Sequence, residues 1–458
     1  MNQITTPLGS GYTEPGTTSF SSLCKSAEHC PFYRKLETYY EGEARLDALG
    51  VSLPPNMRIL ELMAPFPKMS IDILTEVLNP AGFILGEDRD ITDILRRWWS
   101  INDMDTTINN CLTEALVQGA AYLVVGYGDD YTPRITAHDR RGIATRFDHQ
   151  GNLVEALRLY KNGDRDCAAH YIPGFVIIYT RNQANQWVEV DRIETGVSRP
   201  TIVPVFNRVR LKDSRGRSEL LDIISITDAA SRSLTNLQVA AETLAMPQRY
   251  IFSTDLAQSM YGDDGGWSRP KPADVKPDPQ VERLKMYMSS LWVGPDGAQA
   301  GQFPGADLSQ LQNSYKMYAQ IVSAITGIPP AMLGISTDNP SSAEAMRVAK
   351  DRLIARAETK QSMFGDAIEE VMRIALDMYK IRPYADTQQL EMQWRDPATA
   401  SESARQASLL QAHAQGVIDA ETAREGLRLT PEQMARERKN ATNFFGTNLP
   451  GVTDGSDE

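Results

Sequence analysis

Residues 308–330 read LSQLQNSYKMYAQIVSAITGIPP, and a much longer helical pattern follows over residues 341–380. Apolar residues recur at helical spacing in the first segment, in one stripe made of Leu308, Leu311, Tyr315, Tyr318, Val322 and Ile325. The first helix is predicted to end at residues 326–330, because two prolines cannot continue it. Ser341 and Glu344 form a capping-box pattern for the second helix, whose length is typical of a strut rather than of a compact domain.

A second stripe, made of small polar side chains, runs beside the apolar one. Its members are Ser309, Asn313, Lys316, Gln320 and Ser323. Lys316 is the only charged residue among them. This stripe is the first candidate for a functional surface.

Composition bounds the class of protein. At 458 residues, with 41% hydrophobic and 23% charged residues, the chain has the make-up of an ordinary soluble protein with about three packed regions. The first twenty residues lack the pattern of a signal peptide, and no apolar run is long enough to predict a membrane span. The four cysteines show no disulfide spacing and fit a reducing compartment.

The net charge of −12 disfavours a protein whose main task is to grip nucleic acid. Neutralisation of phosphates supplies most of the affinity in such proteins, so they are normally basic. An acidic chain can still have DNA as a passing neighbour, because a sliding contact requires low affinity. Composition alone leaves both possibilities open.

Taken in order, the chain begins with a Gly/Ser/Thr-rich stretch, residues 1–30, predicted to be a flexible arm. Helices are predicted near residues 32–49, 90–99 and 104–118. Strands with turn signals between them then predict an antiparallel sheet, over residues 122–125, 134–138, 143–147, 153–160, 175–180, 187–193 and 202–208. The fold class is therefore α+β.

The second half returns to helices. A helix is predicted over residues 218–245, and the helix at residues 308–325 is its counterpart. Between them lies a small strand-bearing subdomain, whose Gly/Pro-rich stretch 262–279 is predicted to be a surface loop. Two helices carrying a small cap form a stalk with a head. Beyond residue 380 the pattern predicts a strand at 390–394, helices at 400–415, 419–427 and 431–439, and a disordered acidic tail after residue 448.

No catalytic motif assembles along the chain. Phosphate-binding loops, dinucleotide-binding loops and nucleophile elbows are absent from the sequence, and the five histidines do not lie at metal-ligand spacing. His138–Arg141 superficially matches a kinase catalytic loop without the other kinase motifs. Asp263 and Asp264 lie between glycines and could bind a cation, but a solvated loop explains them better. We expect no enzyme activity, no cofactor and no metal site.

The chain resembles bacteriophage portal proteins, in particular those of tailed phages that infect actinobacteria. The resemblance rests on residues 39–55, on residues 113–125 and above all on the run from Thr326 to Ala343, continuing through Arg352, Ala357, Lys360 and Phe364. No single motif decides it, and the order and spacing of the motifs carry it together. The first thirty and last sixty residues show little of the likeness.

The resemblance implies a ring, typically of twelve subunits, at one capsid vertex of the virion, assembled in the host cytoplasm. Double-stranded DNA is packaged and ejected through its channel, and terminase, a head-tail adaptor, the major capsid protein and scaffold protein are the implied partners, with no membrane. The implied parts are a wing (31–217), stem helix 1 (218–247), a clip (248–304), stem helix 2 (305–327), a tunnel loop (328–340), a long wing helix and strand (341–395), a crown (396–447) and a tail (448–458).

This plan assigns candidate site residues. The polar stripe, with Lys316, is expected to line the channel, the alternative being that it faces solvent or a neighbouring subunit. The tunnel-loop candidates are Ile335, Ser336, Thr337, Asp338 and Asn339, and the candidates for partner docking in the clip are Asp263, Asp264, Trp267, Arg269 and Lys271. Competing interpretations of the whole chain are another head-tail connector or adaptor ring, or an unrecognised enzyme.

Overall fold

The fold is that of a computed structural model, which describes residues 19–28, 31–47, 59–86, 88–129, 131–208, 210, 215–244, 249–252, 299–302, 308–335, 343–398, 402–418 and 423. The chain divides into two compact units, residues 1–395 and residues 396–458. Helices and antiparallel strands occur together in the first unit, which confirms the α+β class. In the second unit the described helix is Glu402–Ala414.

The helices are α1 (Ser19–Glu28), α2 (Pro31–Glu41), α3 (Phe66–Val77), α4 (Arg89–Ile101), α5 (Met104–Gln118), α6 (Ile224–Leu244), α7 (Ser309–Thr326), α8 (Ala343–Met378) and α9 (Glu402–Ala414). The strands are β1 (Pro80–Leu85), β2 (Ala120–Tyr127), β3 (Pro133–His138), β4 (Ile143–Phe147), β5 (Leu153–Asn162), β6 (Arg165–Ile172), β7 (Phe175–Arg181), β8 (Trp187–Glu194), β9 (Ile202–Phe206), β10 (Arg249–Phe252), β11 (Gln299–Gln302) and β12 (Leu390–Trp394). Short 3-10 helices occupy Leu220–Asp222, Pro330–Leu333 and Tyr384–Thr387.

Strand β2 separates two cores. It is the centre of the sheet β3-β2-β9, and all six of its residues from 120 to 125 are buried. Leu123 and Val125 point into the main core, which also contains α5, whereas Tyr122 and Val124 point into a second core against the sheet β4-β5-β6-β7-β8. Successive side chains of a strand point to opposite faces, so one apolar strand can serve both cores.

Helix α1 lies inside the predicted flexible arm, so that prediction is wrong for residues 19–28. A small core between this helix and the five-stranded sheet contains Leu23, Cys24, Ala27, Ala144, Leu157 and Ala168. The ring centroids of Phe20 and Tyr179 lie 4.3 Å apart across the same interface. The helix is held by apolar contacts with residues far along the chain, which local composition does not reveal. The rest of the predicted arm, residues 1–18, falls outside the described residues.

Strand β6 has no counterpart among the predicted strands, although it is the central strand of the five-stranded sheet. Its sequence, RDCAAHYI, contains few β-branched residues, and such sequences give little intrinsic preference for strands. Its five consecutive residues 167–171 are nevertheless buried between two cores. The small side chain of Ala168 faces α1, and that of Ala169 faces the three-stranded sheet. Packing against both faces, rather than local sequence preference, therefore stabilises residues 165–172 as a strand.

The two predicted stalk helices are α6 and α7, with one correction. A 3-10 turn at Leu220–Asp222 precedes α6, so the α-helix begins six residues later than the predicted start at residue 218. Strands β10 and β11 pair antiparallel between the two helices, with Arg249 opposite Gln302. The predicted loop 262–279, the helices at 419–427 and 431–439 (apart from Ala423) and the tail lie outside the described residues.

Helix α8 is the long strut of the fold. Its 36 residues span about 54 Å at about 1.5 Å per residue. It packs against β2, β9 and β12, and β12 pairs antiparallel with β1. The predicted end at Lys380 is two residues too long, because the α-helix ends at Met378.

The segment 215–219 passes so close to the end of α5 that it admits only glycine at residue 216. Gly216 has a φ of +79°, and a Cβ atom there would clash with the carbonyl oxygen of Gly119. The Arg217 amide donates to the Asn207 carbonyl at 2.7 Å, and the Glu219 amide donates to the Leu116 carbonyl at 3.0 Å. This close approach sets the position of Glu219.

We expect Gly216→Ala to lower the free energy of unfolding by about 3 kcal/mol or more, because it adds overpacking to a left-handed backbone. Gly174→Ala is the matched control, since Gly174 has a φ of +83° and no atom within 4 Å of a built Cβ. Its cost should be about 1–2 kcal/mol, the backbone penalty alone. Urea unfolding followed by tryptophan fluorescence measures both. Equal losses in the two variants would contradict the close approach.

Candidate channel helix and the junction at its end

Helices α6 and α7 pack side by side, and α7 turns its apolar stripe inward. Ala319 and Val322 are fully buried. The Ser233 hydroxyl of α6 donates to the Leu311 carbonyl of α7 at 3.4 Å. The Tyr315 ring stacks on Phe66 of α3 with centroids 5.4 Å apart. These contacts determine which face of α7 remains open.

Four of the five predicted channel residues lie on that open face. Ser309, Asn313, Lys316 and Gln320 are exposed in the subunit. Ser323 is only partly exposed, and its hydroxyl donates to the Ile328 carbonyl at 2.6 Å. Ser323 therefore stabilises the end of the helix.

The open face of α7 is almost uncharged. Although 23% of the residues of the chain are charged, Lys316 is the only charged residue among the eighteen of this helix. The exposed neighbours of the stripe are Gln310, Gln312, Met317 and Ala324. A surface of amides and hydroxyls with one cation can touch a polyanion without holding it strongly.

Helix α6 carries a row of buried hydroxyls one turn apart. Thr227, Ser231 and Thr235 each donate to the carbonyl four residues earlier, at 2.6–2.9 Å. The Ala64 amide donates to the Ser231 hydroxyl at 2.9 Å, and the Leu62 amide donates to the Thr235 hydroxyl at 3.1 Å. The hydroxyls of Ser231 and Thr235 thus accept hydrogen bonds from backbone amides of the non-helical segment 61–64.

The turn after α7 has a defined helix end and is held by buried side chains. Gly327 ends the helix in the left-handed region, with a φ of +75°, and its amide donates to the Ser323 carbonyl at 2.8 Å. Ile328 and Leu333 are buried in the main core, and Ile335 packs against that core. Ile335 is therefore an anchoring residue, and the other tunnel-loop candidates, residues 336–339, fall outside the described residues.

Arg356 of α8 caps the end of α7. Its guanidinium donates to the carbonyls of Ile325 at 3.2 Å and Thr326 at 2.6 Å. The last carbonyls of a helix lack partners within it and carry partial negative charge, so a guanidinium stabilises them. One side chain of the long helix thus holds the end of the candidate channel helix.

The same guanidinium also pairs with the buried carboxylate of Glu219. Glu219 accepts from the Lys360 ammonium at 2.6 Å and from the Asn207 amide at 3.1 Å. The side chains of Glu219 and Lys360 are 6% and 4% exposed, so both charges have left water. A buried charge is tolerated only when it is paired and hydrogen-bonded.

Residues 208–217 include five basic residues, and two of these, Arg208 and Arg217, lie beside this junction. Arg208 donates to Asp222 at 2.5 Å and lies 3.5 Å from Glu219, and Arg217 donates to Asp222 at 2.8 Å. These two arginines thus neutralise carboxylates of their own chain. We name Asn207, Arg208, Glu219, Arg356 and Lys360 the junction cluster.

The junction cluster holds Glu219 in its ionised form. Burial by itself raises the pKa of the Glu219 carboxyl, but Lys360, Arg356 and Arg208 outweigh burial and hold that pKa below its ordinary value of 4.5. Within the cluster three cations surround one carboxylate, and the carboxylate and the Lys360 ammonium are both buried. Its chemistry is that of a structural clamp.

Sequence reasoning found α7 and missed the centre of the clamp. Glu219 and Arg356 belong to no motif, and Lys360 was identified through the family resemblance alone. Glu219 lies 137 residues from Arg356 and 141 from Lys360, so no local spacing relates them. The clip candidates Asp263, Asp264, Trp267, Arg269 and Lys271 all lie outside the described residues.

Within the described part of the chain, no group of three or more His, Cys, Asp or Glu residues is placed to hold a metal ion. Among the described helices, none combines the length and apolar character of a membrane span.

Residues 25–442 match the family model described as phage portal protein, SPP1 Gp6-like. The chain belongs to this phage portal family. The family is structural rather than catalytic, and its members are components of the phage particle at the capsid vertex.

Two curated relatives carry the same description. The portal protein of Mycobacterium phage D29 is 31% identical over 427 residues, which cover 86% of this chain and 82% of the relative. The portal protein of Mycobacterium phage L5 is 31% identical over 420 residues, with coverages of 84% and 80%. Both come from phages of an actinobacterial host, as the resemblance indicated.

Solved structures with a similar chain include the neck of a native gene transfer agent particle computed with C12 symmetry, at 16% identity and a TM-score of 0.46. The virion of the native gene transfer agent particle gives 17% identity and a TM-score of 0.41. Each match covers 87% of this chain and 99% of the other.

We expect Glu219→Gln to lower the free energy of unfolding by about 3–5 kcal/mol, because the buried Lys360 ammonium and the partly buried Arg356 guanidinium lose their counter-charge. Urea unfolding of the purified protein measures the change. Glu189→Gln, which removes an exposed ion pair with Arg192, is the control and should leave stability unchanged. A loss as small as that of the control would contradict the clamp.

The effect of Glu219 should also depend on pH. The pKa of Glu219 in the folded protein lies below its ordinary value of 4.5. The stabilisation by ionised Glu219 is therefore fully present above about pH 4.5, and it is lost as the pH falls through the pKa of the folded protein. Wild type and Glu219→Gln should therefore differ by a constant amount above about pH 4.5 and converge below it. Unfolding curves from pH 7 to pH 3 measure this difference, and divergence at low pH would contradict the assignment.

Proposed function

We propose that the protein assembles as a ring, typically of twelve copies, at the capsid vertex, and that double-stranded DNA enters and leaves the capsid through the ring. The observation that carries this proposal is the open face of α7, with Lys316 as its only charge. In the ring this face lines the channel. Each copy then adds one cation, and the resulting basic belt contacts phosphates weakly and without sequence preference.

Weak attraction suits a moving polymer. DNA that passes through a channel must exchange each phosphate contact for the next, and a strongly basic wall would resist that exchange. The chain has a net charge of −12 and an almost uncharged α7, and both features favour sliding over binding. No catalytic role is proposed for the protein, and the energy for packaging comes from a separate motor.

The remaining parts follow the portal plan. Helices α6 and α7 form the stem, and residues 248–304 form the clip. The pairing of β10 with β11 supports this assignment, since it brings the two ends of the insertion together between the stem helices. Residues 336–340 form the part of the tunnel loop nearest the channel, and α8 runs outward as a spoke. Residues 396–447 form the crown.

The clip is the proposed docking site for terminase and for the head-tail adaptor, through Asp263, Asp264, Trp267, Arg269 and Lys271. This stretch combines both charges with an aromatic residue between glycines and prolines. Deletion of residues 262–279 should leave rings intact while abolishing DNA packaging or head completion. Normal packaging by the deletion variant would contradict this assignment.

Electron microscopy of the purified protein tests the ring itself. We expect closed rings with a central hole, whose α7 helices turn Lys316 toward the axis. A compact monomer, or a ring whose Lys316 side chains point away from the axis, would contradict the proposal.

We expect Lys316→Glu to reduce the amount of DNA packaged per particle severalfold, because the basic belt becomes an acidic one that repels phosphate. The loss should be larger at low salt, where screening is weaker. Lys316→Arg should package normally, and Lys161→Glu, an exposed charge reversal on β5, is the control. Quantification of DNA in purified particles measures the effect, and equal packaging by Lys316→Glu and the control would refute it.

A further inference from the structure

An open groove of about 430 Å³ lies between α4 and the hairpin of β2 and β3. Arg97 and Ile101 of α4 line one side, and Tyr127, Asp129 and Arg134 line the other. The groove takes no part in the channel or the junction cluster.

The groove is held in shape from beneath. The Tyr379 hydroxyl donates to the Thr132 carbonyl at 2.6 Å and accepts from the Gly128 amide at 3.2 Å. The buried Asn102 amide donates to the Pro133 carbonyl at 2.9 Å, and its oxygen accepts from the Ile135 amide at 2.8 Å. Because these polar groups already have partners, the walls are preformed and an occupant would not need to order them.

The rim of the groove exposes large apolar and aromatic side chains. Ile101 is 45% exposed and Tyr127 50%. Tyr131 lies in the loop that joins β2 to β3, next to the lining residue Thr132. It is 92% exposed and has a φ of +56°. A bulky residue in the left-handed region costs about 1–2 kcal/mol. The loop therefore presents an aromatic ring to solvent at the expense of backbone strain, which is more typical of a binding surface than of a neutral turn.

The charges of the groove favour an acidic occupant. Arg97 and Arg134 are exposed, and within the described residues neither guanidinium has a hydrogen bond or an ion pair. Arg96, the neighbour of Arg97, differs in this respect because it lies 3.5 Å from Asp93. Asp129 is the one carboxylate among the described lining residues, so the groove is locally basic in a chain of net charge −12.

The position of the groove indicates which kind of partner reaches it. Tyr379, which supports the groove, follows directly after the C-terminal end of α8, whereas the N-terminal end of α8 follows the tunnel-loop segment. The two ends are about 54 Å apart along the helix. In the proposed ring the groove therefore lies at the outer rim, away from the DNA, and this step rests on the proposed function.

We propose that the groove binds an extended segment of the capsid shell protein that surrounds the ring, in which an apolar or aromatic side chain lies next to a carboxylate. The apolar side chain packs between Ile101 and Tyr127. The carboxylate receives hydrogen bonds from Arg97 and Arg134, whose planar guanidinium groups suit it.

Co-expression of the full chain with the shell and scaffold proteins tests the proposal. We expect the double variant Arg97→Glu, Arg134→Glu to form rings but to reduce the fraction of shells that contain a ring by about tenfold or more. Arg96→Glu, the adjacent charge reversal outside the groove, should incorporate like the wild type. Normal incorporation of the double variant overturns the inference.

A photocrosslink identifies the occupant directly and does not depend on the folding of the double variant. With Tyr131→p-benzoylphenylalanine in otherwise wild-type rings, irradiation of assembled shells should yield one adduct, to a shell-protein peptide that contains an acidic residue. An adduct to a second copy of this chain, an adduct to DNA, or no adduct overturns the inference. Absence of rings in the wild type would instead overturn the proposed function, so the two failures are distinguishable.

Discussion

The structure depends on the burial of one carboxylate. Glu219 sits where the chain leaves β9 and enters α6, and the cations that neutralise it come mainly from α8. A buried carboxylate without partners would cost several kcal/mol, so α8 is held at the register that brings Arg356 and Lys360 to Glu219. Because Arg356 also caps α7, the same requirement fixes α7 against α8.

This arrangement separates rigidity from function. The centre of the clamp is buried and charged, whereas the open face of α7 is exposed and nearly neutral. Charge concentrated at the junction holds three elements together. In the proposed channel, the nearly uncharged face of α7 would let DNA move along it. The row of hydroxyls on α6 likewise accepts hydrogen bonds from neighbouring backbone amides without placing a charge on that face of the helix.

Helix α8 makes two separate anchoring contacts. In the first half of α8 an arginine caps the end of α7, and just beyond the C-terminal end of α8 a tyrosine hydroxyl fastens the loop beside the groove. A single long helix thus fixes two surfaces that lie far apart, one proposed for DNA and one for the shell.

The sequence by itself determined the elements whose causes are local. The apolar spacing in residues 308–325, Gly327 and the two prolines after it specify a helix, its end and the following turn, because periodicity and backbone stereochemistry act over a few residues. The same local pattern identified four exposed polar residues of α7 correctly as a surface stripe. It also carried the family resemblance.

Tertiary structure alone decided the rest, and for one reason: the partners are far apart in the chain. Helix α1 and strand β6 form because each packs against the other and against distant apolar surfaces, overriding weak local preference. Ser323 has the spacing of the polar stripe, but its hydroxyl donates a hydrogen bond to the Ile328 carbonyl in the turn after α7. Glu219 becomes the centre of the clamp only when folding brings α8 beside it, since the cost of a buried charge is a property of its three-dimensional surroundings.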